Sequence, residues 1–154
     1  TDQEGTGHMV LTPTYHVFQM YTPFQEATYL PLDITCNEIK VRRNWKEEFD
    51  AANADTYRTL PLLSASAAKT QEGDIVVALT NVSLDEEQEV TVNLEGAEVQ
   101  TVSGRILTSA NVADYNDFEN PNRVAPADFT GAQIEQGVLS VKVPAKSLVV
   151  LTLK

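Results

Sequence analysis

Short segments in which apolar residues recur at every second position dominate the chain after residue 60. In a β-strand successive side chains point to opposite faces, so this period of two predicts strands instead of helices. Such segments, separated by charged or glycine-containing turns, lie at residues 63–68, 75–80, 90–94, 99–108, 139–143 and 148–153. Together with weaker segments before them they make roughly eight to ten short strands, which is typical of an antiparallel β-sandwich.

Three local signals refine the arrangement of these strands. Residues 72–74 (EGD) are a turn signal, so the segments on either side are expected to pair as a hairpin. Residues 75–80 and 148–153 are apolar on both faces, which predicts two central strands. The apolar parity changes near Gly104, and a glycine at such a change predicts a β-bulge or a bend.

The first third of the chain has a weaker strand pattern. Residues 30–34 alternate, and Pro31 places this predicted strand at a sheet edge because proline cannot donate a backbone hydrogen bond. A second short strand is predicted at residues 39–41. Residues 44–59 and 110–128 are predicted to be mostly loop, with one helical turn allowed around Trp45.

One helix is predicted close to the N terminus, within residues 9–21 (MVLTPTYHVFQMY). Thr12 can cap the helix, and Pro13 suits the first helical position, where a missing N–H costs nothing. Val10 and Leu11, directly before it, can end an apolar strand. A strand that runs into a helix is a βα unit, and no later segment repeats this pattern.

The apolar side chains of this helix are expected to form one stripe made of Val17, Phe18 and Tyr21. Since the rest of the chain is β-structure, the βα unit is interpreted as the last unit of an α/β domain that is not in this sequence. The stripe should then be partly exposed, or covered by residues 1–8.

Several ordered segments also resemble one enzyme family. Residues 9–21 and the segment ATYLPLDITC at 27–36 resemble the junction between catalytic barrel and C-terminal domain in α-L-arabinofuranosidases of glycoside hydrolase family fifty-one. The resemblance continues in LPLLSASAAKTQEGDIVVALTNV at 60–82, TVSGRILT at 101–108 and FTGA at 129–132. It implies that residues 1–24 are a remnant of the last βα unit of the barrel, and that residues 25–154 form a jelly-roll-like C-terminal β-sandwich.

The resemblance also implies a function for the parent enzyme. Family members hydrolyse terminal non-reducing α-L-arabinofuranosyl residues with retention of configuration, using two glutamates on earlier barrel strands. Those strands are absent from this sequence, so the chain is expected to be a non-catalytic domain. Its expected partners are the catalytic barrel of the same parent and, through the parent, an arabinose-containing polysaccharide or oligosaccharide. Contacts between subunits of a homo-oligomer are a further expectation.

The residues themselves offer no catalytic, cofactor-binding or metal-binding constellation. The acidic residues Glu47 and Glu48, and those at 85–89, lie in polar runs without the burial that raises the pKa of a catalytic acid. His8 and His16 lack the spacing of a zinc site. Oxygen ligands for calcium exist at Asp114, Asp117 and Glu119, without the glycine and spacing of a known calcium loop. We therefore predict no catalytic residue, no cofactor and no metal.

The charge of the chain restricts its partners. Twenty-two acidic against 11 basic residues give a net charge of −11. Nucleic acids and anionic membranes require a basic surface, so neither is an expected partner. No apolar run is long enough to span a bilayer. These features predict a soluble protein, and the sequence is bacterial in style.

One alternative function stays open at the level of the sequence. β-sandwiches often present aromatic rings to sugars, and four aromatic residues fall in predicted loops: Trp45, Tyr57, Tyr115 and Phe118. The alternative is a carbohydrate-binding module that uses these rings. It requires that the rings share one exposed surface.

Overall fold

One α-helix followed by eleven strands makes up the described part of the chain, residues 7–42 and 57–154 of this computed structural model. Helix α1 spans Pro13–Met20 and leads into a short 3-10 helix at Thr22–Phe24. The strands are β1 Thr28–Leu30, β2 Glu38–Arg42, β3 Tyr57–Pro61, β4 Leu63–Lys69, β5 Ile75–Asn81, β6 Gln88–Asn93, β7 Val102–Thr108, β8 Ala127–Phe129, β9 Ala132–Glu135, β10 Val138–Val143 and β11 Ser147–Leu153.

The strands form three antiparallel sheets. The large sheet has the order β1-β4-β5-β11-β7-β8, and the small sheet has the order β6-β10-β9. Strands β2 and β3 pair with each other as a separate ribbon. The predicted hairpin is β4–β5, and β5 and β11 lie at the centre of the large sheet. The all-β fold class with one N-terminal helix is therefore confirmed.

The main core fills the space between the large and small sheets. Its fully buried side chains come from alternate positions of three strands: Val77, Leu79, Leu139, Val141, Val143, Val149, Leu151 and Leu153. Alternation puts these residues on one face of each strand, and burying that apolar face is what holds the two sheets together. The core thus follows directly from the period of two in the sequence.

A second, smaller core lies on the opposite face of the large sheet. Residues directly across an antiparallel ladder share a face, and Ala78 stands opposite Val150 while Leu148 stands opposite Leu107. These four side chains are buried, together with Val124 and Met20. Strands β5 and β11 face a core on each side, so they carry apolar residues on both faces. This two-sided pattern is the reason why the sequence predicted them as central strands.

The expected bulge at Gly104 does not occur. The pairing of β7 with β11 runs without interruption from Val102 to Thr108. The lack of a side chain at Gly104 instead leaves room for its neighbours. A Cβ at this position would lie 2.7 Å from Leu151 Cδ2 and 3.2 Å from Phe129 Cδ1. The apolar parity changes because Ile106 packs on the main core and Leu107 belongs to the second core.

Several element boundaries differ from the sequence prediction. Strand β1 ends at Leu30 instead of continuing to residue 34, and it does lie at the edge of the large sheet. Residues 57–59, predicted as loop, belong to strand β3, because pairing with β2 places them in a ladder. Residues 127–128 belong to β8 for the same reason. Most of the predicted loop at 44–59, including the helical turn around Trp45, lies outside the described residues.

The end of β5 carries a buried polar cluster around Asn81, which is 1% exposed. Its Nδ2 donates to the carbonyl oxygens of Glu86 at 2.9 Å, Val143 at 3.0 Å and Pro144 at 3.1 Å. Its Oδ1 accepts from the Ser83 backbone N–H at 2.9 Å. Asn81 opens an Asn-X-Ser sequence, but its amide nitrogen is used inside the fold, where no glycan can be attached.

Candidate interdomain surface

Helix α1 begins where the sequence predicts. Thr12 adopts an extended conformation, and its Oγ1 accepts a hydrogen bond of 3.2 Å from the Tyr15 N–H. Pro13 occupies the first turn, and the helix ends at Met20. Thr22 Oγ1 then donates a hydrogen bond of 2.9 Å to the carbonyl oxygen of Gln19. Both ends of this two-turn helix are therefore satisfied by neighbouring side chains.

The face of α1 that packs on the large sheet is formed by His16 and Met20, which are buried, with Val17 and Tyr21 half-buried beside them. The predicted stripe is thus only partly correct. Val17 and Tyr21 do pack on the sheet, but Phe18 points away from it and is 74% exposed. Adjacent positions on a helix are about 100° apart, so Val17 and Phe18 cannot both lie at the centre of one contact.

His16 is buried among these apolar residues as a packing residue. Its Nδ1 lies 3.3 Å from Gln19 Oε1, and its ring makes an edge-on contact with Tyr15 at a centroid distance of 5.7 Å. Its Nε2 has no hydrogen-bond partner within the described residues. The predicted apolar stripe did not include His16, because histidine carries no apolar signal at a helix face.

The opposite face of α1 is apolar and exposed. Within the helix Tyr15 and Phe18 stand at i and i+3, which places them on one side of its axis, and Leu11 directly precedes the N-cap Thr12. They are 37%, 47% and 74% exposed. Helix α1 therefore has two apolar faces, of which only one is covered by the described residues. We call Leu11, Tyr15 and Phe18 the outer face.

The long loop between β7 and β8 is anchored to the start of this helix. Asn116 Nδ2 donates to the carbonyl oxygens of Leu11 and Val124, both at 2.8 Å. Asn116 Oδ1 accepts from the Val124 N–H at 2.7 Å. Since Val124 belongs to the second core, this one side chain joins the outer face, the loop and the large sheet.

Two aspartates order the rest of the loop. Asp114 accepts hydrogen bonds from the Ser109 hydroxyl and the Asn111 N–H. Asp117 accepts from the Asn120 N–H and pairs with Arg123 at 3.4 Å. The Ser109 hydroxyl lowers the pKa of Asp114, and the Asn120 backbone N–H lowers the pKa of Asp117. These carboxylates, considered above as oxygen ligands, act as acceptors in turns.

Comparison with known proteins identifies the family. Residues 3–147 match the family model described as the alpha-L-arabinofuranosidase C-terminal domain. The chain belongs to this family. The family resemblance of the separate segments is therefore confirmed, and the matched region includes helix α1 and the strands up to β10.

Full-length relatives show how much of an arabinofuranosidase this domain represents. The chain is 47% identical over 146 residues to an intracellular exo-alpha-L-arabinofuranosidase of Bacteroides ovatus, covering 95% of this chain and 26% of that protein. It is 37% identical to the crystallised GH51 arabinofuranosidase of Xanthomonas axonopodis pv. citri, with a TM-score of 0.81 and coverage of 95% and 27%. The chain spans about a quarter of these relatives.

A more distant structure supports the fold alone. The α-L-arabinofuranosidase of Thermotoga maritima, solved with arabinose, is 19% identical, with a TM-score of 0.70 over 99% of this chain and 30% of its own. The fold of this chain is thus found again in a structure with which it shares few residues.

The remaining residues considered in the sequence do not come together. The acidic residues at 85–87 and Glu89 are exposed, and Glu89 pairs with Lys142 at 3.4 Å. Among the candidate sugar-stacking rings, Tyr115 and Phe118 are exposed on the loop, whereas Tyr57 lies in strand β3. Trp45 is outside the described residues. No stacking contact joins Tyr115 and Phe118, the two rings on the loop.

None of the helices within residues 7–42 and 57–154 has the length and apolar character needed to cross a bilayer.

Proposed function

We propose that this chain is the non-catalytic C-terminal domain of a bacterial α-L-arabinofuranosidase and that it packs against the catalytic part of the same enzyme. The parent would release terminal non-reducing α-L-arabinofuranosyl residues from an arabinose-containing polysaccharide or oligosaccharide, with retention of configuration. The name of the Bacteroides ovatus relative supports an exo-acting, intracellular enzyme.

The observation that carries the proposal is the two-faced helix α1. Its inner face is buried on the large sheet, while its outer face exposes Tyr15 and Phe18 beside Leu11. An apolar patch that a stable fold leaves uncovered marks a contact surface. Three quarters of each full-length relative lies outside the matched region, so the catalytic part is the occupant that this surface fits.

The division of the chain follows from the same argument. Residues 1–24 would be the end of the last βα unit of the catalytic barrel, and residues 25–154 the sandwich domain. In the described residues no strand forms at Val10 and Leu11, because no neighbouring strand pairs with them. We propose that barrel strands provide that neighbour in the complete enzyme, and that α1 is shared between the two domains.

The proposal is tested by comparing two matched substitutions in the full-length enzyme. Phe18 and Tyr29 are exposed to nearly the same extent, 74% and 71%, but Tyr29 lies on edge strand β1 instead of the outer face. If Phe18 is buried against the catalytic part, Phe18→Ser should lower stability by about 2–3 kcal/mol, since burying a phenylalanine contributes about that much. Tyr29→Ser should change it little.

Thermal unfolding of the purified enzymes, with hydrolysis of a chromogenic α-L-arabinofuranoside, provides both measurements. We expect the wild-type enzyme to release L-arabinose and Phe18→Ser to unfold at lower temperature than Tyr29→Ser. Equal stability of the two variants would reject the docking surface. A full-length enzyme without arabinofuranosidase activity would reject the proposed function.

A further inference from the structure

A trough crosses the helix-side face of the large sheet, below the end of α1. It consists of two adjoining grooves with volumes of about 510 Å³ and 840 Å³. Both are lined by Thr22, Pro23 and Thr152, so they meet at these residues. The result is one elongated depression instead of two separate pockets.

The floor of the trough runs across the strands. Thr152 on β11 stands opposite Val76 on β5 and opposite Ser103 on β7, so the three side chains form a row on one face. Val76 and Ser103 are two interstrand spacings apart, which is about 10 Å. Val76 is fully buried, so the two hydroxyl side chains of Ser103 and Thr152 form the accessible floor.

The end of the trough near β8 is lined by planar polar groups. The Arg105 guanidinium donates to the carbonyl oxygens of Pro126 at 2.9 Å and Ala127 at 3.3 Å, and it lies 3.6 Å from Asp128. The backbone contacts hold the guanidinium in place, while the Asp128 side chain is 94% exposed. Gln19 adds an amide from the helix.

The other end is lined by amides, carboxylates and hydroxyls of the β4–β5 turn and of the chain after the 3-10 helix. Gln71 Nε2 donates a hydrogen bond of 3.2 Å to Glu26 Oε2, and the Asp74 carboxylate forms an ion pair of 3.2 Å with Lys154 Nζ. Thr70 Oγ1 is buried without a hydrogen-bond partner in the described ranges. Polar groups that can both donate and accept therefore line both ends.

We infer that this trough is a binding site for an oligosaccharide chain, separate from the aromatic loop residues considered above. Sugar rings carry hydroxyls that match planar carboxylate, amide and guanidinium groups, and apolar C–H faces that match the exposed ring of Pro23. The surrounding acidic residues disfavour phosphates and nucleic acids.

The elongated shape determines which saccharide we expect. A depression formed by two joined grooves suits several linked sugar units better than a single ring. That this saccharide is an arabinose-containing chain rests on the proposed function, because such a polymer would be the substrate of the parent enzyme.

The test places the same bulky residue inside and outside the trough of the full-length enzyme. Ser103 is exposed at the trough floor, and Gln133 is exposed on the outer face of the small sheet. Ser103→Trp should block the trough, whereas Gln133→Trp should leave it open. Asp128→Ala is a second variant. Because the Asp128 side chain is highly exposed, we expect this substitution to leave the fold intact.

Retardation of the enzymes in native gels that contain soluble arabinan measures the binding. The catalytic part contributes equally in all variants, so the difference between them reports the trough. We expect the Kd for arabinan to rise about fivefold in Asp128→Ala, which corresponds to losing about one hydrogen bond, and by more than that in Ser103→Trp, which blocks the trough. Equal retardation of Ser103→Trp, Asp128→Ala and Gln133→Trp would overturn the inference. Loss of the proposed function would appear instead as no hydrolysis of the chromogenic arabinofuranoside by the wild type.

Discussion

The side-chain amide of Asn116 donates a hydrogen bond of 2.8 Å to the backbone carbonyl oxygen of Leu11, which lies 105 positions earlier in the chain. The same amide group contacts Val124, a member of the second core. Through this one residue the long loop holds the beginning of helix α1 in place. The outer face is thereby positioned by contacts that originate in the sandwich.

Replacing Asn116 should loosen this connection. Asn116→Ala removes two donated hydrogen bonds and one accepted bond, and we expect it to destabilise the chain by about 2 kcal/mol because the Val124 groups are partly buried. Urea-induced unfolding measures the change. Asn116→Asp should lower the stability by at least as much. The aspartate keeps an acceptor for the Val124 N–H, but it places a carboxylate oxygen against the carbonyl oxygens of Leu11 and Val124.

The control for this prediction is Asn122→Ala, in the same loop. Asn122 is exposed and makes no side-chain hydrogen bond with the described residues, so its replacement should have almost no effect. A loss of stability as large as that of Asn116→Ala would show that the loop, and not the amide of Asn116, is responsible.

Asn81→Ala should be among the most destabilising polar substitutions in the sandwich. It would leave the carbonyl oxygens of Val143 and Pro144 and the Ser83 N–H without their partner in a buried site. We expect a loss of about 3 kcal/mol, measured by thermal or denaturant unfolding. The exposed Asn93 on strand β6 is the matched control, and comparable losses at both positions would contradict this explanation.

Gly104→Ala tests the close approach between β7 and its neighbours. The added methyl group would meet Leu151 Cδ2 at 2.7 Å, so the core must shift, and we expect destabilisation by about 1–3 kcal/mol. Because the obstacle is one branch of a leucine, Leu151→Val should recover part of this loss when combined with Gly104→Ala. A double-mutant cycle measures the coupling, and strictly additive effects would disprove the contact.

Low pH should destabilise the loop that carries Asp114 and Asp117. Both have a pKa below the usual 3.8, mainly because of the Ser109 hydroxyl and the Asn120 backbone N–H, respectively. A carboxyl group with a lowered pKa in the folded state stabilises the fold above its unfolded pKa. That stabilisation is lost as the pH falls below 3.8 and through the folded pKa values.

Amide hydrogen exchange of residues 109–120 as a function of pH measures this opening. We expect exchange at residues 109–114 to increase below pH 3.8 in the wild type. In Ser109→Ala, which lacks the main donor to Asp114, these residues should already exchange faster at neutral pH and respond less to acid. Identical pH profiles of the wild type and Ser109→Ala would exclude the proposed origin of the lowered pKa.

Local patterns were sufficient for much of the architecture. The period of two located β4, β5, β6, β10 and β11, and double-sided apolar character marked β5 and β11 as central. Thr12 and Pro13 located the start of the helix. Strands β8 and β9 escaped prediction because they are three and four residues long and depend on their neighbours for pairing.

What the sequence determined by itself is the class of fold, the family and the position of the helix, because each depends on residues that are close together in the chain. Only the tertiary structure decided that His16 and Met20 face the sheet while Phe18 points outward. It also decided that Asn81 and Asn116 are joined to residues 62 and 105 positions away. Such contacts depend on strand register and on the side of the sheet that the helix covers, and neither is encoded in any local pattern.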